Sequence, residues 1–230
     1  MKVDESAVAS IEPIGGQRKL SRTWAYEVVR DAIVTLEFPP GMQMVETRLA
    51  EQLEISRPPL REALRELENE GLVESIPFKG TVVAPLAEKD LRDLLSVRKI
   101  LEVAAAEVAC LTASDEDVEA VKELARQMSE DRQHDIARVV DLDIKFHRSI
   151  LQMTKSELLL QMWGSLDSRI RRWMIFKDSA LSPSLSAEQH MNIAKAIAER
   201  RASLAANAVE EHLDAVMGIL LQKVQRVAQQ

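Results

Sequence analysis

The sequence predicts a mainly α-helical chain built from two regions of different architecture. Only 3% of its 230 residues are aromatic, and it has 7 glycines and 8 prolines, which disfavours a β-sandwich or a barrel. Seven of the prolines and five of the glycines lie within the first 85 residues. We therefore expect a turn-rich N-terminal region followed by a C-terminal region of nearly uninterrupted helices.

The N-terminal region begins with residues 1–21, which lack hydrophobic periodicity and are predicted to form a mobile tail. Apolar residues at helical spacing then predict a first helix from Trp24 to Leu36 and a short second helix from Glu46 to Leu53. The first helix is ended by the segment Phe38-Pro-Pro-Gly41.

A third helix and a hairpin complete this region. The third helix is predicted from Ser56, a possible N-cap, to Gly71, with two prolines in its first turn, where a missing N–H costs little. Two β-prone runs at 72–75 and 81–84 flank a turn and predict the hairpin. Three helices and a two-stranded wing form a winged helix-turn-helix, which we assign to residues 22–85.

The rest of the chain, residues 86–230, is predicted to be an all-α helical bundle. Amphipathic spacing and serine N-caps predict six helices, at about 88–112, 114–131, 134–153, 156–177, 186–201 and 203–225. The core stripe of the fourth is expected to include Leu158, Met162 and Ile170.

Composition excludes several classes of protein. The single cysteine, Cys110, permits no internal disulfide and no cysteine-based zinc site, which is typical of a reducing cytoplasm. The chain has no signal peptide pattern and no run of about 18 apolar residues, so we expect a cytoplasmic protein that does not enter membranes. The net charge of −7 argues against nucleic acid when the chain is taken as a whole.

The local charge distribution favours DNA binding at one segment. Residues 56–65 contain three arginines and one glutamate. Arg57 and Arg61 are four residues apart and share one helix face, at the end that enters the major groove in helix-turn-helix proteins. Arginine can donate two hydrogen bonds to guanine. The alternative is a solvated helix face on which these arginines pair with neighbouring glutamates.

Residues 55–73 read ISRPPLREALRELENEGLV. This segment resembles the recognition helix of the GntR family of bacterial transcription regulators. The resemblance implies DNA contacts from Arg57 and Arg61 and from Lys79 and Gly80 at the wing tip. Ser56, at the start of the helix, is a further candidate for donating a hydrogen bond to a phosphate. One departure is that family members usually have Thr-Pro after Ser-Arg, where this chain has two prolines, so a possible phosphate-binding hydroxyl is absent.

Three histidines and an aspartate of the helical region form a pattern typical of a metal site. Asp143 and His147 are four residues apart, a spacing suited to chelating one cation. With His190 and His212 they resemble the metal-binding FCD effector domain of the FadR-like GntR branch, over about residues 90–225. The resemblance implies a divalent cation inside the bundle, and this ligand set favours Zn²⁺ or Ni²⁺. The alternative is a set of core histidines satisfied by nearby backbone.

Two further residues are candidates for effector binding. Arg98 and Glu102 match an Arg-x-x-x-Glu stretch of the family that lies near the effector cavity, where an arginine would fit a carboxylate. The alternative is an ion pair that orients helices. Of Arg169, Arg171 and Arg172, at most one is expected to reach the interior.

Together these features predict a homodimeric transcription regulator and not an enzyme. The family resemblance favours a repressor over an activator. We expect it to bind a palindromic operator in double-stranded DNA and to respond to a small carboxylate metabolite. Two alternatives remain at this point: a regulator for which the metal is the signal, and a metal-dependent enzyme.

Overall fold

The computed structural model describes residues 22–130, 135–177 and 183–229. The predicted tail at 1–21 lies outside the described residues. The chain divides into two compact units, one ending at Leu86 and the other beginning at Ala87. Within the described ranges, no helix is long and apolar enough to cross a membrane.

The N-terminal unit is a winged helix-turn-helix, as predicted. Its elements are α1 (Arg22–Val34), α2 (Glu46–Gln52), α3 (Arg57–Asn69), β1 (Val73–Ile76) and β2 (Gly80–Val83). α1 packs against α3, which buries Leu60, Ala63 and Leu67 at helical spacing. The two strands pair antiparallel, with Val73 opposite Val83.

The wing is held by the segment that precedes α2, a contact that the sequence pattern does not predict. The Met44 amide donates to the Thr81 carbonyl at 2.8 Å, and the Val83 amide donates to the Met42 carbonyl at 2.8 Å. The side-chain amide of Gln43 donates to the Lys79 carbonyl at 2.6 Å. These bonds fix the backbone of the wing tip relative to the helices.

The C-terminal unit is a helical bundle, as predicted. Its elements are α4 (Glu88–Thr112), α5 (Asp115–Glu130), α6 (Ile136–Met153), α7 (Glu157–Gly164), α8 (Asp167–Lys177), α9 (Pro183–Ala198) and α10 (Ala202–Ala228). α4 packs against α10 and α6, and α5 packs against α9. Ser114 and Asp117 cap α5 reciprocally, each side chain accepting the amide of the other residue.

The prediction of a single helix over 156–177 is wrong, because the chain turns between α7 and α8 and forms two helices there. The Leu166 amide bonds the Trp163 carbonyl at 2.9 Å, and the Ser165 hydroxyl bonds the Met162 carbonyl at 2.7 Å. Such back-bonding by serine competes with the helical ladder. The stripe predicted as core is therefore broken: Ile170 is buried, whereas Leu158 and Met162 are exposed.

Candidate nucleic-acid interface and metal centre

Ser56 stands at the N-cap position of α3, but its side chain makes no capping hydrogen bond. An N-cap oxygen normally accepts from the amides of the second and third helical residues. In α3 these residues are Pro58 and Pro59, which have no N–H. The exposed Ser56 hydroxyl is thus left available to another acceptor or donor, such as a phosphate.

Arg57 and Arg61 lie on the exposed face of α3 and share one carboxylate. Arg61 Nε donates to Glu46 Oε2 at 2.6 Å, and Arg57 Nη2 lies 3.7 Å from the same oxygen. The two arginine side chains are 52% and 51% exposed. Because the pair is solvated, its ion pairs are weak and can exchange for other acceptors.

The wing tip presents Lys79 and Gly80 to solvent. Gly80 has a φ of +81°, which glycine adopts without strain. Beside them Phe78 is fully exposed and also has a positive φ, of 65°. A polar cleft between α3 and the wing is lined in part by Arg61 and Thr81. The N-terminal unit therefore holds all five residues predicted to contact DNA.

The four predicted metal ligands converge inside the C-terminal unit. Asp143 and His147 come from α6, His190 from α9 and His212 from α10, and one ligand atom from each lies within 4.8 Å of all the others. His190 Nε2 is 3.2 Å from Asp143 Oδ1 and 3.3 Å from His147 Nε2. All four residues are buried. Ligands of one tetrahedral ion about 2 Å away lie at comparable separations.

The electrostatics of this cluster favour a cation. Burial opposes ionisation of Asp143, yet the hydrogen bond with His190 and the proximity of His147 and Arg98 hold its pKa well below the usual range. Burial and the neighbouring His190 and His147 lower the pKa of His212 well below its ordinary value, so it is neutral and able to bind a metal. Asp143 Oδ2 is buried and has no hydrogen-bond partner among the described residues, which a bound cation would supply.

Arg98 and Glu102 form a buried ion pair within α4. Arg98 Nε donates to Glu102 Oε1 at 2.7 Å, and both side chains are only 2% exposed. Burial acts to raise the pKa of Glu102, but Arg98 and His147 lower it to about 2. Glu102 also accepts from Trp163 Nε1 at 2.6 Å and lies 2.7 Å from His147 Nδ1. The predicted effector pair therefore borders the metal cluster, with Arg98 and Glu102 bonded to each other within α4.

Sequence reasoning missed several residues of these sites. Glu46 contacts the α3 arginines from another helix, Trp163 reaches Glu102, and Gln189 lies 3.1 Å from His212 Nδ1. These partners are distant in sequence, so no local pattern marks them. Of the three clustered arginines, Arg172 is buried, and burial lowers its pKa to about 10.

Comparisons with known proteins match both units. The model for bacterial regulatory proteins of the gntR family matches residues 22–83, and the model for the FCD domain matches residues 93–215.

Similar proteins carry regulatory names. The chain is 32% identical to the Nta operon transcriptional regulator of Aminobacter aminovorans, over 81% of this chain and 90% of that protein. It is 31% identical to a D-xylose utilization operon transcriptional repressor, named as probable, of Paenarthrobacter nicotinovorans, over 87% of this chain and 90% of that protein. The structure of E. coli McbR/YncC superposes with a TM-score of 0.73 at 19% identity, covering 88% of this chain and 98% of that one.

Proposed function

Because this chain belongs to the GntR family of DNA-binding transcriptional regulators and carries an FCD domain, we propose that it is a homodimeric repressor whose operator binding is modulated by a small carboxylate at a buried divalent metal. The family and the similar proteins are transcriptional regulators, so the alternative of a metal-dependent enzyme is rejected. The observation that carries the proposal is the convergence of Asp143, His147, His190 and His212 in the FCD domain.

The DNA contacts are assigned to the N-terminus of α3 and to the wing tip. Arg57 and Arg61 are exposed, their ion pairs with Glu46 are weak enough to exchange, and each can donate two hydrogen bonds to a guanine or bind phosphate. Ser56 would bind phosphate through the hydroxyl that the two prolines leave without a capping partner. Lys79 and Gly80 would meet the DNA backbone or minor groove.

Homodimer formation is supported by an exposed apolar stripe on α4. Ile100 is 71% exposed and Leu111 is 82% exposed, and Val97 and Val108 lie on the same face of the helix. The stripe extends for about 20 Å along α4. An apolar band of this size on a helical surface is typical of an interface, and a second copy of the chain would cover it. Two copies would read two halves of a palindrome.

The metal ligands are assigned to Asp143, His147, His190 and His212. Three neutral imidazoles and one carboxylate favour Zn²⁺ or Ni²⁺ over Ca²⁺ or Mg²⁺. The orphaned Asp143 Oδ2 and the lowered pKa of His212 fit this assignment. When bound, such an ion supplies open coordination positions to the oxygen atoms of an acid.

The carboxylate class of the effector follows from the positive charge beside the cluster. Arg98 is buried and interacts electrostatically with Asp143, which places a guanidinium next to the metal ligands. Arg172 is a second buried guanidinium, on a helix that packs against α4 and α6. A buried arginine beside a metal suits an anion with oxygen donors, and Arg98 is the arginine that interacts with a proposed ligand.

A metal-sensing regulator is the second candidate function. It is favoured by the observation that Arg98 already donates to the Glu102 carboxylate. An arginine that is already paired needs no carboxylate from an effector, so the metal alone could be the signal. Both candidates share the ligands and differ in the signal.

The test measures operator affinity by fluorescence anisotropy, on a DNA fragment selected from a random pool. Zinc sulfate is titrated into chelator-treated protein first, and citrate, as a carboxylate probe, is added second. The effector hypothesis predicts that zinc alone leaves the affinity nearly unchanged and that the acid lowers it at least fivefold in the presence of zinc. A full response to zinc alone would favour metal sensing, and no response to either would overturn both.

A further inference from the structure

Glu102 lies at the edge of the metal cluster and contacts side chains from three helices. Its carboxylate accepts from Arg98 on α4 at 2.7 Å and from Trp163 on α7 at 2.6 Å, and it lies 2.7 Å from His147 Nδ1 on α6. Glu102 is 2% exposed and forms a buried ion pair with the Arg98 guanidinium, so its carboxylate acts as a hydrogen-bond acceptor. Arg98 and Trp163 donate to Oε1, and His147 Nδ1 faces Oε2, so both oxygens of the carboxylate are engaged.

The contact with Glu102 determines which nitrogen of His147 carries the proton. An ionised carboxylate facing Nδ1 requires that Nδ1 be the N–H. The lone pair of neutral His147 is then on Nε2, the atom that lies 3.3 Å from His190 Nε2 and 3.9 Å from Asp143 Oδ1. The imidazole is thus presented to the cluster in its metal-binding form.

We propose that Glu102 is a positioning residue of the metal centre and not an effector ligand: it fixes the tautomer and the ring orientation of His147. This inference rests on the proposed metal site. A carboxylate behind a metal-bound histidine holds the ring and raises its basicity, and the loss of such a partner typically costs about 10- to 100-fold in metal affinity. Arg98 compensates the buried charge of Glu102, which would otherwise be costly to bury.

A second and weaker partner of the same kind lies behind His212. Gln189 Oε1 is 3.1 Å from His212 Nδ1, which orients that ring with a neutral amide. A neutral acceptor stabilises the N–H less than a carboxylate does. Gln189 therefore provides a graded comparison, because its removal should weaken metal binding less than a change at Glu102.

The test substitution is Glu102→Gln in the full-length chain, because it keeps the shape of the side chain. An amide oxygen in the place of Oε1 still accepts from Trp163 and Arg98, while the NH₂ group faces His147 Nδ1. Nδ1 must then be the acceptor, and the proton moves to Nε2, which opposes metal binding. We expect the zinc affinity, measured by competition with a chelator, to fall about 10- to 100-fold. Gln189→Ala is expected to lower it less than about tenfold.

A metal-free measurement separates this inference from the proposed metal function. Side-chain ¹⁵N NMR reports the histidine tautomer, and the wild-type protein should have His147 protonated at Nδ1. Protonation at Nε2 in the wild type, or equal zinc affinity of wild type and Glu102→Gln, would overturn the inference. If the wild type binds neither zinc nor nickel while His147 is protonated at Nδ1, the metal function fails and Glu102 only orients a core histidine. An equal loss of zinc affinity in Trp163→Phe, which leaves the contact with His147, would point to general disruption of the core instead.

Discussion

The two units use the same chemical pair, arginine with glutamate, in opposite surroundings. In the winged domain, Arg61 bonds Glu46 at 2.6 Å with half of the arginine side chain exposed. In the bundle, Arg98 bonds Glu102 at 2.7 Å with both side chains 2% exposed. The two bonds have nearly equal lengths, so the pairs differ mainly in their exposure to solvent.

Solvent exposure determines which of the two arginines is able to change partners. An exposed ion pair contributes about 0–1 kcal/mol and can be replaced by a pair with phosphate or guanine. A buried pair is retained, because separating it leaves an uncompensated charge in a medium of low dielectric constant. Arg61 is therefore suited to reversible binding of DNA, and Arg98 to holding a site in place.

The largest expected effect is on stability, in the Arg98→Ala variant. Removal of Arg98 leaves the buried Glu102 without its cation, so we expect the free energy of unfolding to fall by about 3–5 kcal/mol. Arg61→Ala, the matched exposed variant, should change it by less than about 1 kcal/mol. Urea denaturation of the metal-free protein measures both. Equal losses in the two variants would contradict the claim that burial makes the Arg98–Glu102 pair the more important one for stability.

The next effect is the loss of metal-dependent stabilisation in the His147→Ala variant. A metal present at 100 times its dissociation constant stabilises the folded state by about 2.7 kcal/mol, and most of this gain should vanish without His147. Thermal unfolding with and without zinc measures it. Glu188→Ala is the control, since Glu188 is exposed on the same helix as the ligand His190 and should leave the zinc effect intact. An unchanged zinc effect in His147→Ala would remove this residue from the ligand set.

A smaller effect is expected on operator affinity in the Arg61→Ala variant. A lost bidentate contact with a base costs about 1–3 kcal/mol and relaxes the preference at that base. Fluorescence anisotropy on a selected operator measures the loss. The control is Arg92→Ala, which breaks a similar exposed pair with Glu88 in the other unit. If both variants bind as tightly as the wild type, Arg61 does not read DNA.

The smallest effect is expected from Glu46→Gln. The change frees Arg57 and Arg61 from a competing carboxylate and removes a negative charge near the DNA phosphates. We expect operator affinity to rise by less than tenfold, with little change in stability. Reduced affinity would mean that Glu46 positions the arginines for DNA and does not compete with it.

Local patterns predicted the fold well, since helical spacing and prolines are signals within a few residues. Serine caps were a mixed signal: Ser114 and Ser156 cap α5 and α7, whereas α9 and α10 begin before Ser186 and Ser203. The helix at 88–112 matches α4 at both ends.

The break between α7 and α8 escaped prediction: it is a two-residue turn at Ser165 and Leu166, where the Leu166 amide donates to the Trp163 carbonyl. Leu158 and Met162, predicted as core, are exposed on α7.

The candidate sites could be predicted only in part. The i to i+4 spacings that link Asp143 to His147 and Arg98 to Glu102 are local, and both pairs lie in the same cluster. The contact of Glu102 with His147 joins α4 to α6, and that with Trp163 joins α4 to α7, so only the tertiary packing creates them. The role of Glu102 therefore could not be inferred from its spacing to Arg98.

Selection of bound sequences from a random pool of double-stranded DNA tests whether this protein reads DNA as a dimer through α3. The metal-loaded wild type should enrich a palindrome whose half-sites are about one helical turn, 34–36 Å, apart. Arg61→Ala should enrich the same palindrome with one symmetric pair of base positions relaxed. Enrichment of no palindrome, or an identical preference in the two proteins, would contradict a dimeric reader that recognises DNA through α3.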